Sequence, residues 1–219
     1  MDARKYFVYL TLVCAVALFT GAAVNSSPAQ EPMEIASLSH DTFPTLGSTD
    51  ARVELLLIED LKCKHCKNFS EKFFPRLVSK YLEEGKVRFT LVPLAFLRGS
   101  KPLANAALAV YDLAPERFLP FILELFQRIH LQKKELSVEI MLVEIAQKVG
   151  GIQISKFREC IRTRCHEDEL DRNFEWAKQL MGEDFGTPAL YLNGTYISPS
   201  LYPTIWQRID AAIQEAHTP

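Results

Sequence analysis

The chain has 219 residues, 48% hydrophobic and 24% charged, a globular composition that excludes disordered and fibrous classes and allows one domain with a sizeable core. Its formal net charge of -2 and sequence pI of 6.2 supply no basic field for phosphate backbones, so nucleic acid is not an expected partner.

Arg4 and Lys5 precede an apolar run from Phe7 to Phe19, and Gly21-Ala22-Ala23 offers the small residues that a signal peptidase reads. Residues 1–23 are therefore expected to be an export signal cleaved after about Ala23. The alternative is an uncleaved anchor in the inner membrane, since Phe7 to Val24 approaches the ~18 apolar residues that can span a bilayer. Residues 24–44 read as a polar, proline-bearing linker, too short for a dimerisation domain, and the exported chain is expected to be a monomer.

Val53 to Ile58 reads as a buried central strand, and a helical pattern starts at Cys63-Lys64-His65-Cys66 directly after it. Phe69, Phe73, Leu77 and Tyr81 keep one apolar stripe along that helix, Pro75 is expected to kink it, and Gly85 to end it. Val87 to Leu94 then returns as a second strand, completing a β-α-β unit with the two cysteines at its turn. From residue 100 to 182 the pattern is helical: starts are expected at Ser100, Pro115, Ser137 and Ser155, and a last helix through Leu170, Phe174, Ala177 and Met181 ends at Gly182. These helices are expected to cap the dithiol face. Asn193-Gly194 marks a hairpin between Ala189–Leu192 and Thr195–Ile197, Pro188 opens its first strand with a bond to Thr187 that suits the cis form, and Tyr202 to Ala216 makes a closing helix.

Apart from Cys14 in the signal, the cysteines fall in two local pairs, Cys63 with Cys66 and Cys160 with Cys165, in a chain bound for a compartment that tolerates disulfides. Redox chemistry leads, with a zinc site drawing on all four thiols as the competitor. A cysteine among the unpaired N–H groups of a helix start favours its thiolate, so the Cys63 pKa is expected below neutral, helped by His65 and nearby lysines and opposed by Glu59 and Asp60. Cys160 and Cys165 stand five residues apart, which on an unbroken helix separates them by ~7.5 Å along the axis and about 140° around it. They are expected to form a structural disulfide, and the helix must then break between them.

Leu46-Gly47, Asp50-Ala51, Asp60-Leu61-Lys62-Cys63-Lys64-His65-Cys66, Phe69, Gly186-Thr187-Pro188 and Asn193-Gly194, in that order, resemble the DsbA-like family of exported thiol:disulfide oxidoreductases. The resemblance implies an α/β thioredoxin fold with an inserted helical domain: residues 45–99 and 183–219 would form the thioredoxin part and 100–182 the insertion. It further implies Cys63 as nucleophile, Cys66 as resolving cysteine, His65 as a thiolate-stabilising residue and Thr187-Pro188 as a loop binding substrate backbone, with no cofactor. Implied partners are cysteine-containing exported proteins and a DsbB-type membrane oxidase. Two positions depart from the family pattern: Lys64 stands between the cysteines where proline or another uncharged residue is common, and Leu57 where the best-known oxidase has a strand acid. Besides an oxidase in the periplasm, a disulfide reductase, a binding or chaperone module and a metal carrier on Cys63 and Cys66 remain as alternatives.

Overall fold

Among the described residues five strands form one sheet: β1 (Thr45–Gly47), β2 (Val53–Asp60), β3 (Val87–Leu94), β4 (Ala189–Leu192) and β5 (Thr195–Ile197), in the spatial order β1-β3-β2-β4-β5. The computed structural model describes residues 43–131 and 137–218, which leaves the expected export signal and residues 24–42 of the expected linker outside the described residues. The chain divides into two units, 1–31 and 32–219, and every described residue belongs to the second. Among the described residues no helix is long and apolar enough to cross a membrane.

β2 and β3 run parallel at the centre and are buried along nearly their whole length, as their continuous apolar runs require. β4 pairs antiparallel with β2, placing Leu190 opposite Leu57 and Ala189 opposite Ile58. β5 follows through Asn193-Gly194, whose φ values of 46° and 80° are those of a two-residue primed turn. Asn193 also fixes the hairpin to β2, donating its N–H to the Glu54 carbonyl at 2.9 Å and accepting the Glu54 N–H on Oδ1 at 2.8 Å. The edge strand β1 carries no strand pattern of its own in the sequence. It pairs antiparallel with β3, and Gly47, at φ +94°, passes so close to the Val87 carbonyl that a Cβ would clash with it.

Between β2 and β3 lies α1 (Lys64–Leu77), which runs through Pro75. The consequence of the proline appears just beyond it. The winding changes to a π-helix over Val78–Leu82, where the Val78 N–H is shared between the carbonyls of Phe74 and Pro75. Among the described residues five α-helices separate β3 from β4: α2 (Lys101–Leu113), α3 (Phe118–Leu131), α4 (Val138–Val149), α5 (Ile154–Thr163) and α6 (Glu167–Met181). α7 (Ile205–His217) closes the chain, three residues later than the sequence pattern suggests. Pro199–Thr204 is a 3₁₀ segment instead, and Pro203 inside it has no N–H to extend an α-helical ladder backwards.

The pleat sorts the sheet residues into two layers. Leu55, Leu57, Phe89, Leu91 and Leu190 face one side, in a core shared with Phe73, Phe74 and Leu77 of α1, Ile205 and Ile209 of α7, and Phe121, Leu125 and Phe126 of α3. Leu56, Ile58, Val92, Leu94 and Tyr191 face the other, where Ala177, Trp176, Leu180 and Met181 of α6 cover them. This corrects the expectation that all the inserted helices cap the dithiol side. A sheet apolar on both faces needs a second cover, and the end of α6 provides it.

Within the inserted helices, Phe157 of α5 is fully buried and meets Phe121 of α3 edge-on, ring centroids 5.8 Å apart. Phe157→Ala is expected to cost about 3–5 kcal/mol of unfolding free energy, read as a lower midpoint in urea with an unchanged slope.

The structure joins Cys160 and Cys165 in a disulfide with Cα atoms 5.0 Å apart. α5 stops at Thr163, and Arg164 takes a left-handed conformation (φ 55°, ψ 48°) that turns the chain back, so that the Cys165 N–H reaches the Cys160 carbonyl at 3.1 Å. The helix break that the spacing demands is this single residue.

Candidate active site

Cys63 is the N-cap of α1. Its backbone is extended (φ -73°, ψ 122°), and its sulfur accepts the Cys66 N–H at 3.3 Å. The turn before it is fixed by Asp60, whose carboxylate accepts from the Lys62 N–H at 2.8 Å, the Leu97 N–H at 3.0 Å and the Ser100 hydroxyl at 2.9 Å. Asp60 thus ties the cysteine turn to the start of α2, although its own burial raises its pKa.

The two sulfurs are not joined in a disulfide, and they are not equivalent. Cys63 is 9% exposed and Cys66 is fully buried. The Cys63 pKa is lowered to about 5, first by a hydrogen bond from the Cys66 thiol, against the opposing effect of burial, then by the Cys66 N–H, the Thr187 side chain and the His65 N–H. Cys66 moves far the other way, chiefly by burial, then by its bond to Cys63 and the charge of Glu59. One thiol is therefore an anion at neutral pH and its neighbour a buried proton donor.

Thr187 and Pro188 meet this pair from the start of β4. The bond between them is cis, and the Thr187 carbonyl lies 3.6 Å from the Cys63 sulfur, where it accepts from the protonated thiol only. Tyr202 holds the loop from behind by donating its hydroxyl to the Pro188 carbonyl at 3.0 Å, while its ring packs on Phe69 of α1. The tyrosine gives no signal in the sequence beyond its place before the last helix.

Beneath the pair lies Glu59. It is wholly buried on the sheet face that also carries Leu57, and it accepts a 2.7 Å hydrogen bond from Ser70, one helical turn beyond Cys66. Burial raises its pKa to about 8, against the Ser70 bond and with smaller contributions from Cys63 and Asp60. Its Oε1 has no hydrogen-bond partner among the described residues. The strand acid absent at Leu57 is thus present two residues later on the same face.

A family model described as thioredoxin matches residues 39–213. The chain belongs to this thioredoxin family. Among its curated relatives, the probable disulfide bond formation protein D of Bacillus cereus is 24% identical over 182 residues, covering 81% of this chain and 82% of the relative. Two solved structures share the fold: BdbD from Bacillus subtilis in its oxidised form, with a TM-score of 0.69 at 24% identity over 80% of this chain and 94% of that one, and Chlamydia trachomatis DsbA, with a TM-score of 0.70 at 24% identity over 81% and 94%. The architecture is accordingly the thioredoxin fold with a helical insertion between β3 and β4.

Within the thioredoxin framework, Cys63, Cys66, Thr187 and Pro188 come together at the start of α1, with Glu59, Ser70 and Tyr202 behind them. His65 is placed differently from its expected role. Its ring is exposed and makes no hydrogen bond or ion pair among the described residues; only its backbone N–H acts on Cys63. The two cysteine pairs do not combine. Among the described residues, the one cluster of three or more His, Cys, Asp or Glu ligand atoms is Cys160, Cys165 and His166, within 4.8 Å of one another.

Proposed function

We propose that this chain is an exported thiol:disulfide oxidoreductase of the DsbA-like kind, acting as a dithiol oxidase on cysteine-containing exported proteins. The observation that carries the reading is the asymmetry of the two thiols: a stabilised Cys63 thiolate at a helix N-cap, beside a buried and protonated Cys66.

The reaction starts from the Cys63–Cys66 disulfide. A substrate thiolate attacks the Cys63 sulfur, forming a mixed disulfide while the S–S electron pair leaves on Cys66. The buried Cys66 thiolate takes a proton from Glu59, whose pKa near 8 keeps it mostly protonated at neutral pH. The substrate's second thiolate then attacks its own sulfur in the mixed disulfide and expels Cys63 as a stable thiolate. Two electrons pass from substrate to protein, sulfur to sulfur, so the exchange needs no cofactor.

The Thr187-Pro188 loop offers backbone groups beside the reacting sulfur for the substrate chain, and His65 lends its backbone N–H to the Cys63 thiolate. A membrane oxidase of the DsbB type restores the disulfide, and the protein works as a monomer in the periplasm, released by cleavage after about Ala23 or held by its N-terminal segment. The names of the curated relatives support this reading. In a reducing setting the same residues run backwards as a reductase.

The test is oxidation of a dithiol peptide by the full-length exported protein in its disulfide form. Wild type is expected to convert peptide stoichiometrically, and Cys63→Ser to fall to the uncatalysed rate. Undiminished conversion by Cys63→Ser would leave the site without its nucleophile and end the proposal.

A further inference from the structure

The disulfide corner that closes α5 carries chemistry that the exchange reaction does not use. Cys165 is exposed and Cys160 half-buried. Their turn is held by more than the disulfide: the Cys165 N–H bonds to the Cys160 carbonyl, and buried Asn105 of α2 binds both sides of the turn, donating to the Cys160 carbonyl at 3.4 Å and accepting the His166 N–H at 2.9 Å. Opening the S–S bond therefore leaves the two sulfurs side by side.

The next residue is an imidazole arranged as metal-binding histidines are. Glu169 holds His166 Nδ1 at 2.7 Å, fixing the ring with a carboxylate. Nε2 is buried and has no hydrogen-bond partner among the described residues, although Asp112 Oδ2 lies 3.2 Å away. Asp112 is an ion-pair partner of the ring and does not join the two sulfurs in the cluster of ligand atoms, which leaves the fourth position of a tetrahedral zinc to water.

We propose that Cys160, Cys165 and His166 form a redox-gated site for a thiolate-binding divalent cation, with zinc the fitting ion and water completing the tetrahedron. A dithiol reductant of low potential opens the site. It transfers two electrons, becoming a disulfide, and the Cys160–Cys165 bond becomes two thiols. Zinc then binds both sulfurs as thiolates and displaces their two protons. The corner is closed by a disulfide under oxidising conditions and by a metal under reducing ones, and Asn105 holds its shape in both.

The experiment uses the full-length chain carrying Cys14→Ser, Cys63→Ser and Cys66→Ser, so that only the second pair can respond. It is reduced with a phosphine, exposed to zinc chloride and desalted. About one zinc per reduced chain and none per oxidised chain is expected. Zinc is expected to raise the Tm of the reduced chain alone, because a cation binding the folded site stabilises it whereas one captured by unfolded thiols does not. Cobalt(II) in place of zinc reports ligands directly, through thiolate charge-transfer bands that Cys165→Ser removes. His166→Ala is expected to weaken zinc binding at least about 10-fold. Zinc retained equally by oxidised chain, no zinc on reduced chain, an unchanged Tm, or unweakened binding in His166→Ala would each overturn the proposal.

Discussion

Thiolate absorbance of the reduced protein is expected to rise with a midpoint near pH 5, and alkylation of Cys63 to follow the same curve. The group is only 9% exposed, so the hydrogen bonds responsible act with little competition from water. Because the folded pKa lies below the ordinary thiol value, the stabilisation of the reduced form is complete above about pH 9 and is lost as pH falls through 5. At pH 7 half of that four-unit interval is realised, equivalent to about 60 mV of added oxidising power for a two-electron couple. Equilibration with glutathione checks this directly. Cys66→Ala, which deletes the largest lowering contact, is expected to move the midpoint up by about one unit or more, and His65→Ala to move it less. Equal titration of Cys63 and a model thiol would remove the basis for an oxidase.

The second large effect is expected at Glu59. Its pKa is raised by burial, so the sign is opposite to that at Cys63: the carboxyl leaves stability untouched below about pH 4.5, erodes it as pH rises through 8, and does no further harm above. Glu59→Gln removes a penalty of up to about 5 kcal/mol at pH 9 and almost none at pH 4. Urea denaturation of the disulfide form at the two pH values measures it without interference from Cys63. The same variant is expected to slow formation of the mixed disulfide, because Cys66 then leaves into a buried site with no proton source. A variant stabilised at pH 9 but unslowed in exchange would make Glu59 a structural burden only.

Much of this molecule was legible in its sequence, and the failures have identifiable physical causes. β3, β4 and β5 stand where apolar alternation and the Asn193-Gly194 signal place them. β2 runs two residues past the apolar stretch, to Asp60. That difference hid the buried acid. A strand ended at Ile58 makes Glu59 a loop charge, whereas a strand continued by its period of two puts it beneath the cysteine helix on the face of Leu57. β1 is three residues long and owes its conformation to β3, so it has no local pattern to find. Tyr202 acts on Pro188 across a turn, and the cover given by α6 depends on tertiary packing, neither of which periodicity encodes.

Among the described residues the sheet ends on both sides in strands of only three residues, β1 and β5. Long open edges invite foreign strands to add on, and the proposed substrates, exported chains not yet folded, would bring such strands. With so short a border at each side, an unfolded client finds few consecutive backbone groups to pair with. On the proposed function, such a client would be held at the cysteine turn and not along a sheet edge.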